Sequence, residues 1–414
     1  MMSVCILDHS VYEFDTRVRR KAEALVVAGY TVDVLALRQP GAPKTFVLNG
    51  VTVHTLSLDK KRASLPRYVF EYAAFFLWAF VKTPWLMRQR KYAIVDVNTL
   101  PDFLIFAPAI ARWMGARLIL DMHEITPEFY QSKYRIASTS WLIGLMKVIE
   151  RVSMAFADEV ITITEPIQDL LVSRGLARSK STVVMNSADE ARFTLDGRPP
   201  VHEAADASPF AFIYHGTLTE IYGLDIAIEA FNRAQGQMPG AELWILGFGP
   251  EEDRLKALVT ERGLTAKVRI LGAVLASEVP GWLRRSAAGI LPMRRDVFLD
   301  FAFPNKLSEY IITGKPVIVS RLKTIRRYFS EEALAFFEPH NTADLAKQMV
   351  RLYRNHRLRE RLAARARREY TPISWDVMKA RYLRLVDSVI DPLRHNAPNA
   401  PASEAVRQWT TEQL

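Results

Sequence analysis

A lysine and a glutamate three positions apart, Lys306 and Glu309, stand in the segment FPNKLSEYIITGKPVIVS. The flanking Pro304 and Gly314 predict a helix of about ten residues with the proline in its first turn. The amides and dipole at the start of a helix favour a phosphate, and residues three apart share one face. Lys306 could therefore meet a diphosphate while Glu309 accepts hydrogen bonds from both hydroxyls of a ribose. The alternative is an ordinary Lys–Glu ion pair on a surface helix.

A glycine turn, YHGTLTEIYGLD, follows the apolar run that begins at Phe210. Gly216 directly after a strand allows close backbone approach to a ligand, and Thr217 can donate a hydroxyl. A plain glycine turn is the alternative interpretation. The segment LGFGPEE looks like a dinucleotide fingerprint, but it lacks the third glycine and ends in Glu251 and Glu252. Carboxylates in the first turn of a helix repel phosphate, so we predict no pyrophosphate there.

In the first half of the chain, LILDMHE places Asp121, His123 and Glu124 just past a strand end. A histidine in a cleft can hydrogen-bond a sugar hydroxyl or a phosphate and can be oriented by a nearby carboxylate. A structural histidine is the alternative. Arg17 and Arg20 on the first helix could face an anion across a cleft or simply be solvated.

Composition excludes several classes of protein. The 414 residues are half apolar and one quarter charged, which is typical of a globular chain with more than one domain. Cys5 is the sole cysteine, so an intrachain disulfide and a thiolate zinc cluster are excluded, and its apolar strand context argues against a nucleophile. No basic region precedes the first apolar run, which argues against a signal peptide. The formal charge of +10 suggests an anionic partner, but no nucleic-acid-binding signature is present.

Two stretches of the chain are rich in lysine and arginine. Residues 60–91 carry lysines and arginines around the apolar block from Tyr72 to Val81, which is too short to span a bilayer. The block is either a core helix with solvated basic flanks or a patch that inserts into a membrane interface. The second stretch, from Arg351 to Arg368, is rich in Ala, Leu and Arg and predicts a solvated helix face.

Along the chain, apolar runs rich in Val, Ile and Leu alternate with segments whose apolar residues recur at the period of a helix. This pattern is typical of parallel strands joined by crossover helices. The pattern predicts an α/β fold with two Rossmann-like domains facing a central cleft. We place the first domain at 1–190, a linker at 191–209 and the second domain at 210–373. A C-terminal helix at 374–390 is expected to pack back on the first domain, before a disordered tail at 391–414.

Together these residues resemble glycosyltransferase family 4, the retaining GT-B enzymes that use nucleotide-activated sugars. The resemblance spans most of the chain and is most specific in HGTLTEIYGLDIAIEAF, LWILGFGPEEDRLKAL and FPNKLSEYIITGKPVIVS. It implies a nucleotide-sugar site in the second domain and an acceptor site in the first. Glu309 matches the second glutamate of the family's paired-glutamate motif, and His123 matches the acceptor-domain histidine.

The resemblance implies a full set of site residues. Catalytic roles fall to His123, Lys306 and Glu309. Contacts to the nucleotide sugar are expected from residues in the two C-terminal motifs and one intervening arginine: Gly216, Thr217, Arg294, Pro304, Asn305, Lys306, Leu307 and Glu309. No metal or other cofactor is expected, and the acceptor is a saccharide or a lipid-linked saccharide used in cell-surface polysaccharide assembly. The expected location is cytoplasmic, with peripheral binding to an anionic membrane surface.

Two departures from the family pattern keep alternatives open. The first glutamate of the pair should stand eight positions before Glu309, where this chain has Phe301, and Asp300 is the nearest carboxylate. The usual basic pair in the loop before Gly223 is replaced by Glu220, Ile221 and Tyr222, so Lys306, with Arg294 or Arg295, would supply the charge for the diphosphate. The alternatives are another GT-B enzyme such as a nucleotide-sugar epimerase, and a non-catalytic GT-B assembly partner.

Overall fold

A computed structural model describes residues 2–58, 65–193 and 209–391. The predicted linker lies outside the described residues except for 191–193 and 209. The predicted tail lies outside them except for 391, and so do the basic residues Lys60, Lys61 and Arg62.

The N-terminal half is built on an eight-stranded sheet in the order β3-β4-β2-β1-β5-β6-β7-β8. Every neighbouring pair is parallel except β3 and β4. The strands are β1 (Ser3–Val11), β2 (Thr31–Leu37), β3 (Thr45–Leu48), β4 (Val51–Leu56), β5 (Tyr92–Asn98), β6 (Arg117–Met122), β7 (Glu159–Thr162) and β8 (Ser181–Val183). The sequence pattern did not predict β3, because this short antiparallel edge strand is half exposed and lacks the continuous apolar run of its neighbours.

The helices in the described part of the N-terminal half are α1 (Thr16–Val27), α2 (Leu65–Arg90), α3 (Ala109–Trp113), α4 (Thr126–Tyr134), α5 (Trp141–Phe156) and α6 (Glu165–Ser173). The predicted limits of α1 have a local cause. The Asp15 side chain accepts hydrogen bonds from the amides of Arg17 and Val18 and so caps the helix start. Gly29, just past the end, has a φ of +92°, which favours glycine.

The C-terminal half has a six-stranded parallel sheet in the order β11-β10-β9-β12-β13-β14. Its strands are β9 (Phe210–His215), β10 (Ala241–Leu246), β11 (Val268–Ile270), β12 (Ala288–Leu291), β13 (Val317–Ser320) and β14 (Ala335–Phe337). The helices are α7 (Leu224–Ala234), α8 (Glu252–Glu261), α9 (Val279–Arg285), α10 (Asn305–Ile312), α11 (Lys323–Tyr328), α12 (Thr342–Arg354), α13 (His356–Tyr370) and α14 (Trp375–Ile390).

Two helices differ from the sequence prediction. Helix α10 has 8 residues, and Pro304 is its N-cap in an extended conformation rather than part of its first turn. The basic stretch after Arg351 is divided between α12 and α13, because Asn355 ends one helix and its side chain caps the next through the amide of Leu358.

The N-terminal sheet packs helices on both faces. Val4 and Ile6 of β1 belong to a core that includes α1 and α14, whereas Cys5 and Leu7 belong to a second core with α2, α3, α5 and α6. Alternation along a strand sends successive side chains to opposite faces, which explains this division. Helix α14 therefore returns from the C-terminal half, contacting α1 and β5 of the N-terminal half.

Candidate active site

Lys306 in the first turn of α10 lies directly against the glycine turn that follows β9. A Cβ atom on Gly216 would lie 2.1 Å from Cε and 2.7 Å from Nζ of Lys306, and Gly216 has a φ of +126°. Only glycine fits this position without displacing the lysine. The two predicted motifs therefore form one site.

The Lys306 ammonium is held by aromatic rings. Its Nζ lies 4.4 Å from the ring centre of Tyr222 and 5.4 Å from that of Tyr214. Nζ makes no hydrogen bond within the described part of the chain. Burial lowers the pKa of Lys306 to about 8, with the Glu309 carboxylate opposing the shift. The cation is thus positioned but keeps its hydrogen-bonding capacity for a ligand.

Glu309, one turn further along α10, lies with Oε2 3.2 Å from Nε2 of His215. Burial raises the pKa of Glu309 to about 7, although Lys306 lowers it in part. Burial and Lys306 together lower the pKa of His215 to about 3, so this histidine is neutral. The Tyr310 hydroxyl donates to the Ile213 carbonyl at 3.1 Å and fixes α10 on β9.

Some backbone amides at the start of α10 are available to a ligand. The N-cap residue, Pro304, has no side-chain acceptor, so it does not cap the amides of the first turn. Leu307 is buried, and its amide donates to the Pro304 carbonyl at 3.0 Å. Asn305 and Lys306 are half-buried at the same end. Among the residues predicted from this segment, Leu307 therefore contributes packing, and Asn305 and Lys306 reach the surface of the site.

The LGFGPEE segment packs against the Gly216 turn. A Cβ on Gly247 would lie 1.8 Å from the Gly216 carbonyl oxygen, and one on Gly249 would lie 2.3 Å from that of Leu218. The Gly216 amide donates to the Leu246 carbonyl at 2.9 Å. These glycines serve contact between two loops, which accounts for their spacing without a phosphate. Gly216 contributes its close approach rather than its amide, while the exposed Thr217 remains next to the cleft.

Arg294 supports the loop in which the resemblance expects a basic pair. Its side chain donates to the Glu220 carbonyl at 2.9 Å and to Asp225 at 2.5 Å, and its amide donates to the Ile221 carbonyl at 2.9 Å. Asp225 neutralises much of its charge. Arg295 donates to the Arg321 carbonyl at 2.8 Å. Both arginines hold backbone in this structure, which is a different role from the predicted charge for a diphosphate.

The position of the missing glutamate is occupied by a packed ring. Phe301 is half-buried, and Nζ of Lys323 lies 4.8 Å from its ring centre. Asp300 accepts from the Lys323 amide at 3.3 Å, and its carbonyl accepts from the Thr324 amide at 3.0 Å. Asp300 thus fixes the start of α11 and does not replace the carboxylate expected at Phe301.

A cavity of about 810 Å³ opens between the two halves. Residues within or just beyond the C-terminal parts of strands in both sheets line it, including Asp8, Thr99 and Glu124 on one side and Thr217 and Tyr222 on the other. The halves also touch across it, since Arg135 pairs with Glu220 at 3.0 Å and the rings of Phe129 and Phe298 lie 5.5 Å apart. The carboxyl ends of parallel strands are where open α/β sheets bind ligands.

His123 directly precedes Glu124, which lines the cavity, and its own side chain is buried, with 5% exposed. Its Nε2 lies 2.8 Å from Oδ1 of Asn98, and its amide donates to the Thr99 hydroxyl oxygen at 3.1 Å. Burial, with the nearby Arg17 and Lys21 cations, lowers the pKa of His123 well below its ordinary value. The neutral ring therefore donates from Nε2 to Asn98. Its buried Nδ1 is an acceptor without a hydrogen-bond partner among the described residues.

A buried charged network that the sequence did not reveal holds Asn98 in place. Lys21 of α1 donates to Asn98 at 2.9 Å, to Asp96 at 3.1 Å and to Asp121. Tyr382 of α14 donates to Asp96 at 2.8 Å. Burial opposes the charge on Lys21, but the two carboxylates raise its pKa overall, while burial raises the pKa of Asp121 to about 6. In the sequence, this network is indicated only by the position of Lys21, which the periodicity of α1 places on the buried face of the helix.

The two arginines considered on α1 have different surroundings. Arg17 bonds the Asp15 carboxylate at 2.9 Å and lines the cavity. Arg20 donates to Asn186 at 2.7 Å and to the Ser187 carbonyl, and its guanidinium lies 4.6 Å from the ring centre of Trp375. Arg17 thus borders the cleft, whereas Arg20 joins α1 to the segment that leaves the N-terminal half.

Comparison with known families matches both halves. The model described as "Glycosyl transferase 4-like domain" matches residues 15–187, and that described as "Glycosyl transferases group 1" matches residues 209–355. Within the described part of the chain, no group of three or more His, Cys, Asp and Glu side chains is arranged to hold a metal ion.

Curated relatives match over part of their length. The putative colanic acid biosynthesis glycosyltransferase WcaL of Escherichia coli K12 is 30% identical over 45% of this chain and 46% of its own. The amylovoran biosynthesis glycosyltransferase AmsK of Erwinia amylovora is 26% identical over 45% of each chain. The chain thus spans about half the length of these relatives in the matches.

Solved structures are similar over nearly the whole chain. Sucrose-phosphate synthase from Thermosynechococcus elongatus has a TM-score of 0.74 at 17% identity, covering 94% of this chain and 99% of that one. Anabaena HepE in complex with UDP-glucose has a TM-score of 0.67 at 15% identity, covering 94% and 100%. At this identity the similarity establishes the fold, and the predicted GT-B architecture is confirmed.

Proposed function

Since the chain belongs to the GT-B glycosyltransferases, we propose that it transfers a sugar from a nucleoside-diphosphate sugar to a saccharide acceptor in cell-surface polysaccharide assembly. The observation that carries this proposal is the arrangement of Lys306 and Glu309 beside Gly216. A desolvated cation and a carboxylate one turn apart suit the two ends of a nucleotide diphosphate. The relatives named for colanic acid and amylovoran biosynthesis support the proposed pathway class.

On the donor side, Glu309 accepts from the ribose hydroxyls. Lys306, Thr217 and the first amides of α10 at Asn305 bind the diphosphate. Gly216 provides the space for this approach, and Arg294 holds the loop in shape. HepE, solved with UDP-glucose, supports a nucleotide sugar as the donor. We propose that no metal ion is needed, because Lys306 and the helix dipole offset the charge of the leaving diphosphate.

On the acceptor side, neutral His123 contacts the reacting sugar from the N-terminal half. Departure of the diphosphate gives the sugar oxocarbenium character. The fixed positive charge at Lys306 stabilises the negative charge that develops on the diphosphate and so lowers the barrier to its departure. Closure of the two halves would exclude water that otherwise hydrolyses the donor. A hexosyl donor and retention of configuration follow from the family resemblance. We propose a lipid-linked saccharide as the acceptor and a peripheral position on the cytoplasmic face of a membrane.

The site assignment is tested by Glu309→Ala and Lys306→Ala. Each should lower donor turnover about 100- to 1000-fold, the usual cost of removing one preorganised electrostatic contact. Exposed residues of the same types, in Lys347→Ala and Glu261→Ala, provide matched controls. A thermal-shift screen across UDP-, GDP- and ADP-sugars identifies the nucleotide, because a ligand that binds the folded state raises its apparent stability.

The same assays distinguish the alternatives. A donor converted to an isomer without acceptor would indicate an epimerase. Absence of nucleotide binding by calorimetry would indicate a non-catalytic partner and would contradict the proposal, as would wild-type turnover in both alanine variants.

A further inference from the structure

Helix α2 exposes large apolar side chains along one side. Phe70, Leu77, Val81 and Trp85 are 55%, 62%, 69% and 48% exposed, and the last three follow one another at intervals of four residues. Intervals of four place them on one stripe of the helix. Phe75, within the predicted aromatic block, is instead fully buried against the sheet. The exposed stripe thus consists of different residues from those that fill the core.

Helix α5 exposes a second stripe. Trp141, Leu145, Val148 and Val152 are 78%, 45%, 58% and 50% exposed, again at intervals of three or four. Between the two helices, Trp113 at the end of α3 is 84% exposed. Exposed apolar residues scattered singly are normal on a protein surface, whereas contiguous exposed apolar patches mark interaction sites.

The two stripes belong to one surface. The inner faces of α2, α3 and α5 contribute to the same core on one side of the N-terminal sheet, so their outer faces point away from it together. The 3-10 turn Asp102–Phe106 bridges them, with Phe103 6.0 Å from Phe76 of α2 and Phe106 5.0 Å from Phe156 of α5. We call the exposed outer side of these three helices the α2–α5 face.

The exposed charged side chains of α2, α3 and α5 are basic. Lys82, Arg88, Lys147 and Arg151 are half-exposed or exposed, and so are Arg90 and Arg112, which pair with Asp33 and Asp158 at 3.4 and 3.0 Å. The acids in these helices, Glu71 and Glu150, are buried and paired with Arg67 and Arg174. Nζ of Lys82 lies 3.9 Å from the ring centre of Trp85, which places the cation beside the apolar stripe. Helix α13 shows the contrast, because it is rich in arginine but exposes no large apolar side chain.

We propose that the α2–α5 face docks on an anionic lipid bilayer surface, with its tryptophans and aliphatic side chains in the interface and its cations at the headgroups. Amphipathic helices with basic polar borders and Trp, Phe or Leu on the apolar side bind in this way. The described residues include no helix long and apolar enough to cross a bilayer.

This position also defines the acceptor more closely, and that part rests on the proposed function. Tyr72 of α2 lines the interdomain cavity, five residues before Leu77 of the exposed stripe. The same helix therefore forms a wall of the cavity and a part of the docking face. An acceptor anchored in the bilayer by a lipid would reach the cavity along α2.

The test is co-sedimentation of the full chain with vesicles of equal parts phosphatidylcholine and phosphatidylglycerol, compared with phosphatidylcholine alone. The wild type should pellet with the anionic vesicles only and less at high salt. Leu77→Ser/Val81→Ser/Trp85→Ser in α2 and Trp141→Ser/Leu145→Ser/Val148→Ser in α5 should each lower the bound fraction at least about tenfold, because insertion and electrostatic attraction act together. The matched control Val27→Ser/Val47→Ser/Leu275→Ser replaces equally exposed residues elsewhere and should bind normally.

Two outcomes overturn the proposal. One is wild-type pelleting by both helix variants. The other is a wild-type dimer in sedimentation velocity that the variants dissociate, without vesicle binding, since the occupant would then be a second copy. Calorimetry with the nucleotide from the thermal-shift screen separates this result from the donor site. The helix variants should bind that nucleotide normally, whereas Glu309→Ala should lose it and still pellet.

Discussion

Lys21 in the N-terminal half and Lys306 in the C-terminal half have opposite environments, the first fully buried and the second half-buried. Lys21 in the N-terminal half is hydrogen-bonded to Asp96, Asn98 and Asp121, and the carboxylates raise its pKa. Lys306 in the C-terminal half lies over the Tyr222 ring, and burial lowers its pKa to about 8. The difference indicates that Lys21 is satisfied by the fold, while Lys306 is held ready for an anion.

Replacing each lysine by methionine should have the largest effect, on the free energy of unfolding for Lys21 and on nucleotide binding for Lys306. Lys21→Met leaves two buried carboxylates without their cation and should lower the free energy of unfolding by about 3–5 kcal/mol. Lys306→Met removes a charge that folding disfavours, so its melting temperature should equal or exceed that of the wild type, with nucleotide binding lost. Thermal denaturation and calorimetry measure both. Equal destabilisation by the two substitutions would refute the contrast.

A smaller effect should come from Gly216→Ala. The new Cβ would lie 2.1 Å from Cε of Lys306, so the lysine must move, and donor binding should weaken by about 1.5–3 kcal/mol, the contribution of one hydrogen bond from a charged group. Gly115→Ala is the control, because Gly115 also has a positive φ, of +104°, but no atom within 4 Å of the added Cβ. Both variants share backbone strain, whereas only Gly216→Ala should lose donor affinity. Equal donor affinity of the two variants would show that Gly216 is not part of the donor site.

The smallest effect should be the pH dependence of nucleotide affinity. Burial raises the pKa of Glu309 to about 7, and the carboxylate accepts hydrogen bonds fully only above that pH. Burial lowers the pKa of Lys306 to about 8, and the ammonium is charged only below that pH. Affinity in calorimetry should therefore be highest between pH 7 and 8 and fall on both sides.

Two substitutions assign the limbs of that profile. Glu309→Gln should remove the acidic limb, because the amide does not titrate. Lys306→Arg should move the alkaline limb upward, because a guanidinium stays charged. A profile unchanged by both substitutions would exclude these groups as its source.

The lysine contrast also separates what the sequence predicted from what it did not. Lys306, Glu309 and Gly216 lie in short motifs whose spacing and turn residues define a helix start beside a glycine turn. Because neighbouring parallel strands end at one edge of a sheet, two such motifs predict one site. The same local reasoning predicted most strands, but it missed the edge strands β3 and β14, because β3 is half exposed and β14 has only three residues, too few to show a periodic pattern.

The alternating α/β pattern, the two-part architecture and the motif around Lys306 could all be predicted from the amino-acid sequence. The meeting of Lys21 and Tyr382, 361 positions apart, at Asp96 is visible only in the folded chain. The same is true of the pairing of Arg294 with Asp225 and of the side of α2 that is exposed. Local periodicity reports which face of an element is apolar, whereas buried charges find partners through packing between distant elements, and no short-range pattern encodes that pairing.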